Sequence, residues 1–351
     1  MRESNPVNTA LLSYGMSGEV FHGPLLRHNH TFHVSAIVQR SKGHAERDFP
    51  EATIYTRVDD VFADAAVELV IVNTPNHTHF EFVSRALNAG KHVVVEKPFT
   101  VTSAEADALI ALAKEKQRVL TVFQNRRWDG DFLTLQQVIA EKRVGEIAEF
   151  EAHYDRFRNY VEPNTWKETA APGTGILYNL GSHMLDQVLV LFGMPDTIDA
   201  RIGIRRPGGA VDDYYDIRMQ YAKFLVIVKS SYLVKEEGPR YILHGVNGSF
   251  VKYGIDPQEQ ALKEKKIPGS PGWGEERDEY FGKLNCEGGR PFVGQIKTVA
   301  GDYPAFYRNV YDAIRHSAAL AVKPEQSRDV IRLIEYAEES NRTGKAIRPQ
   351  A

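Results

Sequence analysis

At 351 residues the chain is long for one domain and suits two. Apolar residues make up 42% and charged residues 25%, as in ordinary globular proteins, and a net charge of −3 argues against nucleic acid or an anionic membrane as a partner. The single cysteine, Cys286, excludes an intrachain disulfide framework and any multi-cysteine zinc site.

No apolar run approaches the roughly 20 residues that span a bilayer. The polar start, residues 1–10, lacks the apolar core of a signal peptide, so a cytoplasmic protein is expected. Residues 10–14 predict a first strand. It runs into Ser13-Tyr14-Gly15-Met16-Ser17-Gly18 and then a helix-like stretch through Leu26. This is a dinucleotide fingerprint with Ser13 in place of its first glycine. Gly15 and Gly18 would allow close approach to a pyrophosphate and close helix–strand packing, and the helix N-terminus would face the phosphates.

Further strands are expected at 32–39, 69–73, 92–95 and 120–124. They are short, rich in Val and Ile and not cleanly alternating, as in parallel strands buried on both faces. Helices are expected at 58–65, 78–89 and 103–116, the last opened by the capping box Thr102-Ser103-Ala104-Glu105. Strand alternating with helix predicts a doubly wound parallel sheet, an NAD(P)-binding Rossmann domain over residues 1–127.

Three loops of this sheet carry candidate cofactor residues. After the second strand come Gln39, Arg40, Ser41 and Lys42, with no acid to bind the ribose hydroxyls of NAD. Arg40 and Ser41 suit a 2′-phosphate, so NADP is expected, with NAD as the second option. The turn Thr74-Pro75-Asn76-His77-Thr78-His79 follows another strand; Thr74, Pro75, Asn76 and His79 are read as cofactor-lining rather than metal-binding. Glu96-Lys97-Pro98 ends the run Val93-Val94-Val95, where a parallel sheet opens its ligand crevice. Arg126 is the last candidate in this set.

Beyond Arg126-Arg127-Trp128 the pattern changes. A helix at 132–141 and strands at 146–157, 217–221, 225–233 and 240–253 predict an α+β domain over 128–351 with a mostly antiparallel sheet. Val246-Asn247-Gly248-Ser249 marks a hairpin turn. Residues 254–303, rich in Gly, Pro and charge, are expected to be loop. Such a sheet leaves a face needing cover, which points to a homo-oligomer.

A helix is expected over 177–192, approached through Pro172-Gly173-Thr174-Gly175. At helical spacing Asn179, His183 and Asp186 share one face. A lysine, a histidine and a redox nucleotide are the parts that hydride transfer between an alcohol and a carbonyl needs. Tyr154, Arg156, Arg158, Tyr160 and Trp166 are candidates to line a polyol pocket.

Lys97 within Glu96-Lys97-Pro98, the turn at residues 74–79, and Gly181-Ser182-His183-Met184-Leu185-Asp186 together resemble the Gfo/Idh/MocA oxidoreductase family over nearly the whole chain. Residues 21–24, 124–129 and 251–259 are similar to a bacterial subgroup of that family with NADP-dependent scyllo-inositol dehydrogenase-like members. The resemblance implies a Rossmann domain followed by a domain built on a large, mostly antiparallel sheet, and homodimers or homotetramers that associate through it. It implies that Lys97 hydrogen-bonds the reacting hydroxyl and His183 is the general acid/base, acting on a cyclic polyol or sugar bound between the domains. Members often carry Asp four residues before that histidine; Asn179 stands here and carries no proton. Asn179 and Asp186 are then expected near substrate or imidazole. An NADP-binding sensor without turnover is the alternative, and redox-neutral sugar chemistry a third reading.

Overall fold

The computed structural model describes residues 5–40 and 43–350. The chain forms two compact units, Met1–Trp128 with Pro257–Gly274 and Asp302–Arg328, and Asp129–Asp256 with Glu275–Gly301 and Asp329–Ala351. Residues 257–274 and 302–328, expected in the second domain, thus group with the first. Aromatic packing shows why: on the helix Pro304–His316, the Phe306 ring lies 5.0 Å from Phe123 and the Tyr307 ring 5.4 Å from Phe32.

The first unit holds β1 (Val7–Leu11), β2 (Phe32–Val38), β3 (Thr53–Tyr55), β4 (Leu69–Val72), β5 (His92–Val95) and β6 (Leu120–Val122). Every pairing is parallel, in the order β3-β2-β1-β4-β5-β6. All of β4 and the three valines of β5 are fully buried, which accounts for their unbroken apolar sequence. β1 starts earlier than expected, and residues 12–14 instead begin a turn. Strand order reverses between β1 and β4, the place where a doubly wound sheet opens its crevice. The capping box at Ser103–Lys116 forms: Thr102 Oγ1 accepts from Glu105 N at 3.3 Å and Glu105 Oε2 accepts from Thr102 N at 3.2 Å. Such a cap stabilises a helix by about 1 kcal/mol.

The second unit holds β7 (Ile147–His153), β8 (Thr197–Gly203), β9 (Tyr214–Gln220), β10 (Leu225–Ser231), β11 (Tyr241–Gly245), β12 (Gly248–Lys252), β13 (Gly282–Cys286) and β14 (Phe292–Ile296). They form one sheet in the order β14-β13-β12-β11-β7-β10-β9-β8, antiparallel except where β7 meets β10. One cross-strand row, Ile198, Met219, Val226, Phe150, Leu243, Phe250 and Leu284, is buried along its whole length and makes the core face. Truncating Phe150 to Ala in such a row costs about 3–5 kcal/mol.

Two expectations are corrected here. Residues 254–303 are not all loop: the helix Gln258–Lys263 and both β13 and β14 lie within them. Only alternate residues of β13 are buried, and the surrounding Gly and Pro mask that weak alternation. The hairpin forms one residue earlier than Asn-Gly chemistry predicts. Gly245 pairs with Gly248, so Val246 and Asn247 make the turn and Gly248 lies in the strand. A Cβ on Gly248 would stand 2.3 Å from the Asn285 carbonyl, so close strand packing is what the glycine serves.

Candidate active site

In the first unit the carboxyl ends of β1, β4 and β5 are neighbours, and the candidate cofactor residues gather there. Ser13 to Gly18 form the turn after β1 and the start of a helical turn, Ser17–His22. Gly15 N donates to Ser13 Oγ at 3.3 Å, so the serine that replaces the first fingerprint glycine supports the turn. Asn73, just past β4, donates from Nδ2 to Ser13 O at 2.8 Å and ties the two strand ends together. A Cβ on Gly18 would stand 2.4 Å from Ser13 O, a backbone atom that cannot yield, whereas one on Gly15 would meet only Ser13 Oγ at 3.6 Å. Gly18 is therefore fixed by packing, and Gly15 and Met16 are exposed.

Thr74, Pro75 and Asn76 lead into a short helical turn, Asn76–Thr78, and Thr74 Oγ1 lies 2.6 Å from Thr78 Oγ1. His79 is fully buried, with Nδ1 2.9 Å from Pro98 O and Nε2 3.0 Å from Thr74 O. Burial lowers its pKa, against the pull of those carbonyls. His79 thus joins the turn after β4 to the segment after β5. His77 is exposed, and no group of metal-ligating side chains forms among the described residues.

Glu96 and Lys97 follow β5, and the Lys97–Pro98 peptide bond is cis. Lys97 N donates to Glu96 Oε2 at 3.1 Å. The other carboxylate oxygen, Oε1, accepts from Ser17 Oγ and lies 3.0 Å from His22 Nε2. Burial alone would raise the Glu96 pKa; the hydrogen bonds from His22 and Ser17 and the charge on Lys97 outweigh it and bring it down to about 2.

The remaining nucleotide candidates lie differently. Tyr14 donates its hydroxyl to Asp48 Oδ2 at 2.9 Å, and Arg126 is buried and ion-paired with Glu259. Arg40 is exposed, while Ser41 lies outside the described residues. Gln39 turns its Oε1 to Ala45 N at 3.2 Å, so the position where an NAD site usually has an acid holds an amide serving the next helix.

In the second unit the expected helix is split: Leu177–Gly181 is a π-type turn and Ser182–Phe192 an α-helix. The wider turn changes the angular spacing, so the one-face argument from residue 179 to 186 does not carry through unaltered. His183 is 6% and Asp186 2% exposed. Asn179 is half-buried and donates from Nδ2 to the Tyr232 hydroxyl at 3.4 Å.

Asp212 holds the start of this segment. Its Oδ2 accepts from Leu177 N and its carbonyl from Ile176 N, both at 2.9 Å. Gly175, at φ +91°, must be glycine because a Cβ would stand 1.9 Å from Asp212 Oδ1. Burial pushes the Asp212 pKa up to about 6 against those backbone donors, with Asp213 adding to the rise. Next to it, Arg206 is almost wholly buried. It donates to Asp213 Oδ2 at 2.9 Å, Glu168 Oε2 at 2.8 Å and Tyr160 O at 2.6 Å, and its guanidinium lies 4.8 Å from the Tyr232 ring centroid.

Of the polyol candidates, Tyr154 is buried under two guanidiniums, Arg240 at 4.2 Å and Arg156 at 4.6 Å from its ring. Arg158, Tyr160 and Trp166 are exposed. The sequence reading gave no role to Asp212, Arg206, Tyr232, His22 or Tyr307. The local signals were the block 21–24, which contains His22, and the acid pair Asp212-Asp213 just before an alternating strand.

A doubly wound nucleotide sheet, together with an antiparallel-sheet unit whose helix carries a buried histidine, defines a two-part oxidoreductase with a nucleotide-binding domain. Family models match both parts: the oxidoreductase-family NAD-binding Rossmann fold over residues 7–124 and the C-terminal alpha/beta domain over 136–348. The chain belongs to the Gfo/Idh/MocA oxidoreductase family. It is 40% identical to scyllo-inositol 2-dehydrogenase (NADP(+)) IolW of Bacillus subtilis over 99% of this chain and 97% of that protein. It is likewise 40% identical to the uncharacterized oxidoreductase YdgJ of Escherichia coli, over 96% and 97% of the two chains. The solved structure of yvaA from Bacillus subtilis superposes with a TM-score of 0.96 at 39% identity, covering all of both chains. No helix among the described residues is long and apolar enough to cross a membrane.

Proposed function

We propose that this oxidoreductase interconverts a secondary alcohol and a ketone on a cyclic polyol or sugar, inositol-like in class, with NADP as the preferred nucleotide. The observation that carries the reading is the strand-end Lys97 of the first unit, held at its backbone by an ionised Glu96; in the second unit a buried His183 stands on the helix anchored by Asp212. The 40% identity to an NADP-dependent inositol dehydrogenase supports the substrate class.

The first unit fits a dinucleotide. Among the described residues, Asn73 Oδ1 and Gln124 Oε1 are buried acceptors with no protein donor, at the carboxyl ends of β4 and β6. A nicotinamide ribose or carboxamide offers donors of the kind they lack. The turn at Ser13, Gly15, Met16 and Ser17 would hold the phosphates, with Thr74, Pro75 and Asn76 flanking them. The amide at Gln39 and the guanidinium of Arg40 favour a 2′-phosphate. When bound, the nicotinamide supplies the hydride acceptor or donor.

The chain's own residues manage the proton. His183 takes the hydroxyl proton in the oxidative direction and returns it in the reductive one, the work of a general base and acid. Lys97 donates a hydrogen bond to the alcohol oxygen, stabilising negative charge where it develops. Asn179, already bonded to Tyr232, orients groups and transfers no proton. Arg158 and Trp166 offer exposed polar and aromatic surface to a polyol. A second copy of the chain would cover the sheet face where half-buried Ile227, Ile242 and Val251 stand in one row with Glu151 and Lys283.

The test is NADP reduction, followed at the nicotinamide absorbance, over inositol stereoisomers, aldoses and sugar acids with NAD alongside. Turnover with NADP and one polyol is expected. Intact NADP binding with silence across the panel would replace the dehydrogenase by a sensor, and a clear NAD preference would overturn the cofactor choice.

A further inference from the structure

Behind Glu96 lies a buried chain of polar groups that neither hydride nor proton transfer uses. His22 is fully buried, its Nε2 3.0 Å from Glu96 Oε1 and its Nδ1 2.6 Å from the Tyr307 hydroxyl. Tyr307 is also fully buried, and burial holds its phenol well above the usual value, so it keeps its proton. An ionised carboxylate only accepts, so His22 Nε2 carries hydrogen and donates to Glu96. On the other side of the ring Nδ1 and the Tyr307 hydroxyl share a hydrogen bond, so both ring nitrogens have partners, as a buried network requires.

The ring positions are set by packing. The His22 ring lies 4.3 Å from Phe123, and the Tyr307 ring lies 5.2 Å from Phe306. At its far end Glu96 holds two things at once: the hydroxyl of Ser17, in the turn read above as the phosphate seat, and the backbone N–H of Lys97.

We propose that His22 and Tyr307 are positioning residues for Lys97: with Glu96 they form a hydrogen-bond chain that couples the turn at Ser17 to the backbone carrying the lysine. This rests on the reading that Lys97 acts on the substrate hydroxyl. Glu96 in this account serves the nucleotide indirectly, through Ser17. Ordering the Ser17 turn orders Lys97, and the reverse, because one carboxylate spans both.

The experiment uses the full chain with His22→Leu, His22→Gln and Tyr307→Phe, and reads thermal midpoint, NADPH affinity by nicotinamide fluorescence, and kcat and KM for a polyol. Leu keeps the apolar packing and removes the donor; Gln keeps a donor in place of Nε2. Misplacing a catalytic group by an ångström costs up to about 10²-fold in rate, so His22→Leu is expected to lose kcat by about 30-fold or more with KM for polyol little moved. Loss of the His22 hydrogen bond to the carboxylate that holds Ser17 is expected to weaken NADPH binding by about 10-fold. His22→Gln should recover most of both, and Tyr307→Phe should show a smaller loss of the same kind. A purely packing role predicts the opposite order, Leu tolerated and Gln harmful. Folded His22→Leu with unchanged kcat and unchanged NADPH affinity, or Gln no better than Leu, would overturn the proposal. Where no polyol is turned over by any form, the polyol reading fails, and the NADPH affinities of the three variants still decide the coupling.

Discussion

Lys97 stands on a turn at the end of β5, while His183 stands inside a helix of the other unit, and the two are held by different means. The lysine's backbone is fixed by its own neighbour, Glu96, at a strand end that the parallel ladder already places. The histidine depends on a distant residue, Asp212, which satisfies the backbone where its segment begins. Two carboxyls mark the contrast. Imidazole and hydroxyl donors and a nearby lysine bring Glu96 down to about 2, whereas burial beside Asp213, answered only by backbone donors, pushes Asp212 up to about 6. The first arrangement is polar and charge-compensated; the second keeps an uncompensated acid next to a helix start.

The largest effect expected is on turnover. Lys97→Ala and His183→Ala should each lower kcat by about 10²–10⁴-fold, the range of a lost general acid/base or oxyanion partner, while NADPH affinity by fluorescence titration stays within a few-fold. Near-normal kcat in either variant would remove that residue from the mechanism. Next comes Arg206→Ala, which strips the partner from two carboxylates, Asp213 and Glu168, in a buried triad. Leaving such charges unpaired costs about 3–5 kcal/mol, to be read from the denaturation midpoint; a stable variant would show that the triad is dispensable.

How far the sequence shows each unit follows the same division. Buried parallel strands declare themselves by unbroken Val and Ile runs, and the turns after them by Gly, Pro and Asn, so the strand ends at residues 13–18, 74–79 and 96–97 are legible in the sequence. The helix at 103–116 was fixed by its capping box. By contrast, Asp212 and Arg206 act across tens of residues, and no local pattern links them to His183. The strand β8 and the strands β13 and β14 were missed because Gly, charge and half-exposed positions dilute their alternation. His22 and Tyr307 meet only because the helix at 304–316 returns to the first unit.

A glycine pair sharpens the comparison inside the fingerprint. Gly18→Ala must push its Cβ against Ser13 O, an overpacking that costs about 1–3 kcal/mol, whereas Gly15→Ala meets only a side-chain oxygen at 3.6 Å. Gly15→Ala should therefore keep the thermal midpoint and weaken NADPH binding, and Gly18→Ala should lower the midpoint; reversed outcomes would break the assignment of the two glycines. The smallest effect concerns pH. Asp212 has a folded pKa raised from 3.8 to about 6, so the folded state binds more protons there, and its share of stability is lost as pH rises across that interval. Glu96, lowered from 4.5 to about 2, works the other way and loses its share as pH falls below 4.5. Denaturation midpoints against pH should show Asp212→Asn flattening the first slope; an unchanged slope would mean that Asp212 titrates in the folded chain as it does in the unfolded one.

Hydride transfer itself is tested most directly with a polyol the protein turns over, carrying deuterium on its ring carbons, incubated with the protein and NADP and followed by mass spectrometry of the nucleotide. The account predicts reduced nicotinamide heavier by one deuterium, formed by the wild-type chain and lost in Lys97→Ala and His183→Ala. Reduced nucleotide without the label, or formed equally by the His183→Ala variant, would contradict it.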